Sequence, residues 1–188
     1  MKLICNIQRK IKVVTGILLL IFVVKGYGQN CKIEFYLLKK EIPVVINSMD
    51  FHATRDDLED TAFITNDEIT SFSIKKNTTK DSKTVEQHFF HVSQEVVERI
   101  NKLEIPLFPG KQFVLLVDGE IIYGGYFWNF FSSWGCSGIV AFAIGDKIII
   151  ERKLPDYGYE NDMEAAADRR KNPILFDCLQ LTNRMVAE

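Results

Sequence analysis

The chain has 188 residues, 47% of them hydrophobic and 26% charged. Five of its 23 basic residues and none of its 25 acidic ones lie in the first 28 positions, which leaves the other 160 residues with a net charge of −7. That sign repels phosphate backbones and anionic lipid headgroups and so excludes nucleic acid as an expected partner, while the length suits one domain that needs no metal to fold.

In chain order, a basic start (Lys2, Arg9, Lys10, Lys12) precedes a 12-residue apolar run, Val13 to Val24, and then the small residues of Gly26-Tyr27-Gly28. This is the order of a secretory signal peptide, and the run is short of the roughly 20 apolar residues of a membrane span. The expected organisation is a signal peptide over 1–28 and one exported domain over 29–188, periplasmic or secreted. Membrane contact is expected only through the leader. Cys5 leaves with that leader, and Cys31, Cys136 and Cys178 remain. An odd number predicts one disulfide and one free thiol, with three pairings open and Cys136–Cys178 a candidate. Cys31 follows Gly28-Gln29-Asn30, a poor match to a lipoprotein cleavage box.

Ile33 to Leu38 alternates with period two and predicts a first strand; Ile42 to Ile46 offers a second short one around Pro43. Asn47 to Asp60 is polar and acidic and reads as loop or one helical turn. Thr65 followed by Glu68 fits a capping box. Ser71 to Ile74 resumes strand alternation, Lys75 to Lys83 reads as a polar loop, and Val85 to Val92 as a strand. Ser93 opens a helix whose Val96, Val97, Ile100 and Leu103 share a face. Phe113 to Val117 is a continuous apolar run, hence a strand covered on both faces. Asp118-Gly119 is a tight-turn signal before the strand Glu120 to Tyr123. Ile139 to Ile144 and Lys147 to Glu151 form a second hairpin around Gly145-Asp146. An acidic loop, Asp156 to Asp162, follows. Asn172-Pro173 caps a last helix with Ile174, Cys178, Leu181 and Met185 on one face. The predicted class is α+β, a small mixed or antiparallel sheet with two or three helices.

Thr65-Asn66-Asp67-Glu68-Ile69, Phe90-His91-Val92-Ser93 with its helix, Gly110-Lys111 through Asp118-Gly119, the return strand Glu120 to Tyr123 and the hairpin Ile139 to Ile150 occur in a familiar succession. Residues 64 to 150 thereby resemble the periplasmic head domain of the protein-export membrane protein SecD. The resemblance covers about half the chain and implies a ferredoxin-like core in a small exported domain without catalysis. Two departures mark it. Gly124-Gly125-Tyr126-Phe127-Trp128 replaces a small-residue and proline step, and that family's transmembrane bundle is not among these residues.

Seven aromatics fall in the 12 residues from Tyr123 to Trp134. They cannot all enter one small core from a single extended segment, so Tyr123, Tyr126, Trp128, Phe131 and Trp134 are the expected binding residues. Cys136, in Trp134-Gly135-Cys136-Ser137-Gly138, is the one glycine-flanked nucleophile, with His88 or His91 as candidate bases. His88 and His91 are three apart in a strand, on opposite faces, which is wrong for two ligands of one metal. The acidic loop around His52 could hold a cation only weakly, and neither metal nor cofactor is expected. The expected function is an exported, non-enzymatic binding domain that contacts another protein or peptide outside the cytoplasm. The alternatives are a carbohydrate-binding module using residues 123–134 and a thiol-dependent hydrolase using Cys136.

Overall fold

The computed structural model describes residues 31–44, 49–78, 84–152 and 168–187, and Lys32–Glu188 forms one compact unit. The signal peptide and the 156–162 loop lie outside the described residues, as do Val45 and Ile46 of the expected second strand; Ile42 to Val44 are not strand.

Seven strands form a single sheet: β1 (Ile33–Leu37), β2 (Ile69–Thr78), β3 (Thr84–Val92), β4 (Lys111–Val117), β5 (Glu120–Phe127), β6 (Val140–Ile144) and β7 (Lys147–Glu151). Their order across it is β1-β4-β5-β6-β7-β3-β2. Every neighbouring pair is antiparallel except β5 and β6, joined in parallel only at Tyr126↔Val140 and Phe127↔Ala141. The described residues hold two α-helices, α1 (Gln94–Asn101) and α2 (Pro173–Leu181).

The sheet is curled into a half-barrel. Phe35 stands on the first strand of the order and Phe90 on the sixth, yet their rings meet edge-on at 5.3 Å. Phe72, Phe113 and Phe127 complete this inner aromatic layer, with centroid separations of 4.8 to 5.5 Å. The segment after Leu58 runs from one edge of the sheet to the other. It bridges β1 at Phe35↔Ile64 and Leu38↔Leu58 before entering β2. Asn66 clinches this closure: its Oδ1 accepts from the Ile33 N–H at 3.0 Å and from Arg184 Nη1 at 2.7 Å. At the opposite edge, Phe72 of β2 exchanges backbone hydrogen bonds with Arg184 and Val186. Both sheet edges are thus partly covered, which limits pairing with other chains.

This architecture corrects the expected fold. A small sheet with helices in a ferredoxin-like core is replaced by one seven-stranded mixed half-barrel with two short helices among the described residues. One source of the difference is the polar stretch after Ile74. Lys75 to Thr78 is not loop but continues β2, paired with Thr84 to Gln87 in a hairpin. Polar side chains suit β2 there because Lys75, Lys76 and Asn77 are exposed. The last helix is also rotated from expectation. Leu175, Cys178 and Leu179 face the core, while Ile174 and Leu181 are exposed.

A second core lies on the outer face of the sheet. Tyr36, Val114, Leu116, Tyr126 and Val140 project from the strands there. Met49, Phe51, Leu58, Trp128 and Cys136 cover them from the loops. Phe113 to Val117 is therefore buried on both faces, each residue at most 1% exposed.

Candidate functional site

Strand parity and the end of β5 sort the aromatic segment into buried and exposed members. Tyr123 and Phe127 point into the half-barrel and Tyr126 into the outer core, all buried. The Tyr126 hydroxyl donates to the Met49 carbonyl at 2.7 Å, and burial pushes its pKa well above the ordinary tyrosine value. Trp128 extends the strand by one more bond, its N–H donating to Ala141 O at 3.0 Å, and is buried as well. Of the five expected binding residues, the structure therefore brings Phe131 and Trp134 to the surface and keeps Tyr123, Tyr126 and Trp128 in the core.

Past Trp128 the chain turns outward. Phe131 is 90% exposed, and Phe130, Trp134 and Leu107 are each more than half exposed. Two loops make this tip, and its polar side chains are spent on holding it together. Asn129 Nδ2 donates to Ile105 O at 2.9 Å while its Oδ1 accepts from the Phe131 N–H at 2.9 Å. The Ser132 hydroxyl donates to Leu107 O and accepts from the Trp134 N–H. Phe108 stacks at an angle on Trp134, 5.3 Å between centroids, and Phe130 packs on Phe142 at 4.9 Å. No charged residue occurs from Trp128 to Ile139. The result is an uncharged aromatic tip whose backbone is fixed and whose rings face solvent. No sequence pattern singles out Phe130 or Leu107; their exposure follows from where β5 ends and from the loop before β4 that meets it.

Cys136 sits beneath this tip as a free, buried thiol. Burial pushes its pKa up to about 12, so it is protonated at neutral pH. The histidines proposed as its base are engaged elsewhere: His88 Nε2 with Glu86 at 2.8 Å, and His91 Nε2 with Ser73 Oγ at 3.2 Å. Cys31 and Cys178 are disulfide-bonded, so the candidate Cys136–Cys178 bond is not formed. Cys136 lies in an apolar cluster that contains no second cysteine, and packing decides its state.

One polar group was not visible in the sequence. Arg170 is buried and clasps the end of the barrel. Its Nη2 pairs with Asp168 Oδ2 at 2.8 Å, and its Nη1 donates to Glu86 O at 2.8 Å and Ile150 O at 3.2 Å. Burial works to raise Asp168, but hydrogen bonds and charge from Arg170 hold its carboxyl below the usual range. Glu86 behaves similarly, its burial outweighed by His88 and by Lys171 at 3.2 Å. Burial keeps His88 below the ordinary histidine value despite its bond to Glu86. A lone Asp before Arg-Arg-Lys carries no motif, so only the fold reveals this clasp.

Among the described residues, no group of three or more His, Cys, Asp or Glu side chains could hold a metal ion, and no helix is long and apolar enough to cross a membrane. No protein-family model and no curated protein matches the chain.

Proposed function

We propose that the chain is an exported domain that works by contact with another protein outside the cytoplasm, through the tip formed by Leu107, Phe130, Phe131 and Trp134. The observation that carries this reading is the 90% exposure of Phe131 on an uncharged tip where Leu107, Phe130 and Trp134 are also more than half exposed. Large apolar side chains left in water as a cluster favour a partner that removes them from it. Aromatic anchors held on a fixed backbone supply much of the energy of protein contacts, because little is lost in ordering them. The disulfide-bonded cysteines support an oxidising compartment, in keeping with the signal-peptide pattern.

The chemistry of the tip favours a protein over a sugar. A sugar platform needs free hydrogen-bonding side chains beside its rings to hold hydroxyl groups. Here Asn129 and Ser132 are already bonded within the loops. The reading also has no place for thiol catalysis, since the Cys136 thiol is buried and its pKa is raised. The test compares the wild-type protein with the Phe131→Ser/Trp134→Ser variant in pull-downs from the cell's own exported fraction. The variant should melt at about the wild-type temperature but lose the retained partner. Equal retention by both proteins contradicts the proposal.

A further inference from the structure

β5 is paired with β4 along nearly its whole length but with β6 only at Tyr126 and Phe127, so the two strands diverge below that point. The Tyr126 N–H donates to Ile139 O on the β6 side. Gly124, two residues earlier in the same strand, turns its backbone N–H and C=O the same way. Among the described residues no strand pairs with it there.

A cleft of about 180 Å³ opens at this place. Phe51, Val114 and Ile121 give it an apolar wall, Gly124 contributes backbone, and the exposed side chains of His52 and Arg169 stand at its mouth. Gly124 is required for this shape. A Cβ there would come within 2.6 Å of the Phe51 ring, so any larger residue would displace the wall.

The charges at the mouth are selective. Arg169, Arg170 and Lys171 are three consecutive cations on one 3-10 turn. Arg170 is neutralised by Asp168 and Lys171 by Glu86. Arg169 has no ion pair among the described residues, and it is the one that lines the cleft.

We propose that this cleft is a binding site for a small aromatic carboxylate. The ring would lie against Phe51, Val114 and Ile121, and the carboxylate would face Arg169, His52 and the Gly124 N–H. The volume fits one ring, since a closed apolar cavity of about 150 Å³ holds benzene. A hydrogen bond to a charged group contributes enough to make the carboxylate decisive, about tenfold or more in affinity. This site uses none of the tip residues, so it stands or falls separately from the protein contact proposed above.

The experiment is a titration of the mature protein with benzoate, followed by calorimetry and by amide shifts in two-dimensional NMR. Saturable binding is expected, with shifts centred on Gly124 and Phe51. Benzyl alcohol, the neutral counterpart, should bind about tenfold or more weakly, and Arg169→Met should weaken benzoate by a similar factor. Arg169 is exposed, so that variant should fold normally, which its amide spectrum would show. The Phe131→Ser/Trp134→Ser variant should bind benzoate as the wild type does. Absence of saturation at millimolar benzoate would overturn the proposal. So would equal affinity for benzyl alcohol, or benzoate binding unchanged by Arg169→Met.

Discussion

Acid should loosen this molecule through buried His88 and the half-buried carboxylates beside Arg170. Burial makes His88 harder to protonate in the folded chain than in the unfolded one, where its value is about 6.5. The unfolded chain then binds more protons below that pH, so the contribution of His88 to stability is full above about 6.5 and declines as the pH falls beneath it. Glu86 and Asp168 are held below their ordinary 4.5 and 3.8, so they add a second loss under about pH 4.5. Thermal melts across pH 8 to 3 should show both stages, and His88→Gln should flatten the upper one and reduce the Glu86 part of the lower, while Arg170 still holds Asp168. An unchanged slope just below pH 6.5 in that variant would exclude His88 as the source. Cys136 gives a second test at this scale. With its thiol buried and its pKa near 12, it should resist alkylation in native, non-reduced protein and react once the chain is unfolded. Rapid native labelling near neutral pH would contradict that placement.

At the scale of single elements, turns and caps were the legible features because their causes are local. Asp118 and Gly119 both have positive φ, 49° and 82°, as the hairpin signal predicts. A β-branched residue is poorly suited to that conformation, so Gly119→Val should cost roughly 1–2 kcal/mol in a denaturant melt. A loss of only a few tenths would show that the turn adapts. The Thr65–Glu68 capping box is likewise present, with both side-chain arms formed. The face of α2 was not legible, because Ile174, Leu175, Phe176, Cys178, Leu179 and Leu181 are apolar nearly all round. Such a helix has no polar side to exclude, and contact with the sheet alone chooses Leu175, Cys178 and Leu179. The end of β5 was equally hidden. Nothing in Tyr126-Phe127-Trp128-Asn129 announces that Trp128 stays bonded to Ala141 while Phe130 and Phe131 leave the sheet.

For the whole molecule, the order of strands depends on pairings far apart in sequence. β1 lies beside β4 and β3 beside β7, and no local pattern encodes either choice. That is why strand positions could be read from alternation while the half-barrel could not. It also explains why the sequence marks an aromatic segment but not which of its rings are covered. Curling the sheet gives Tyr123 and Phe127 an interior to fill, and the outer core takes Tyr126 and Trp128, which leaves the next turn of chain with no cover. The central claim is that this uncovered tip is where another protein docks. The most direct measurement places a photo-crosslinking phenylalanine analogue at position 131, and separately at Lys76 on the β2–β3 ribbon, in protein exported by its own cells. The account predicts a discrete cross-linked polypeptide from position 131 that is absent from position 76. The same products from both positions, or none from position 131, would contradict it.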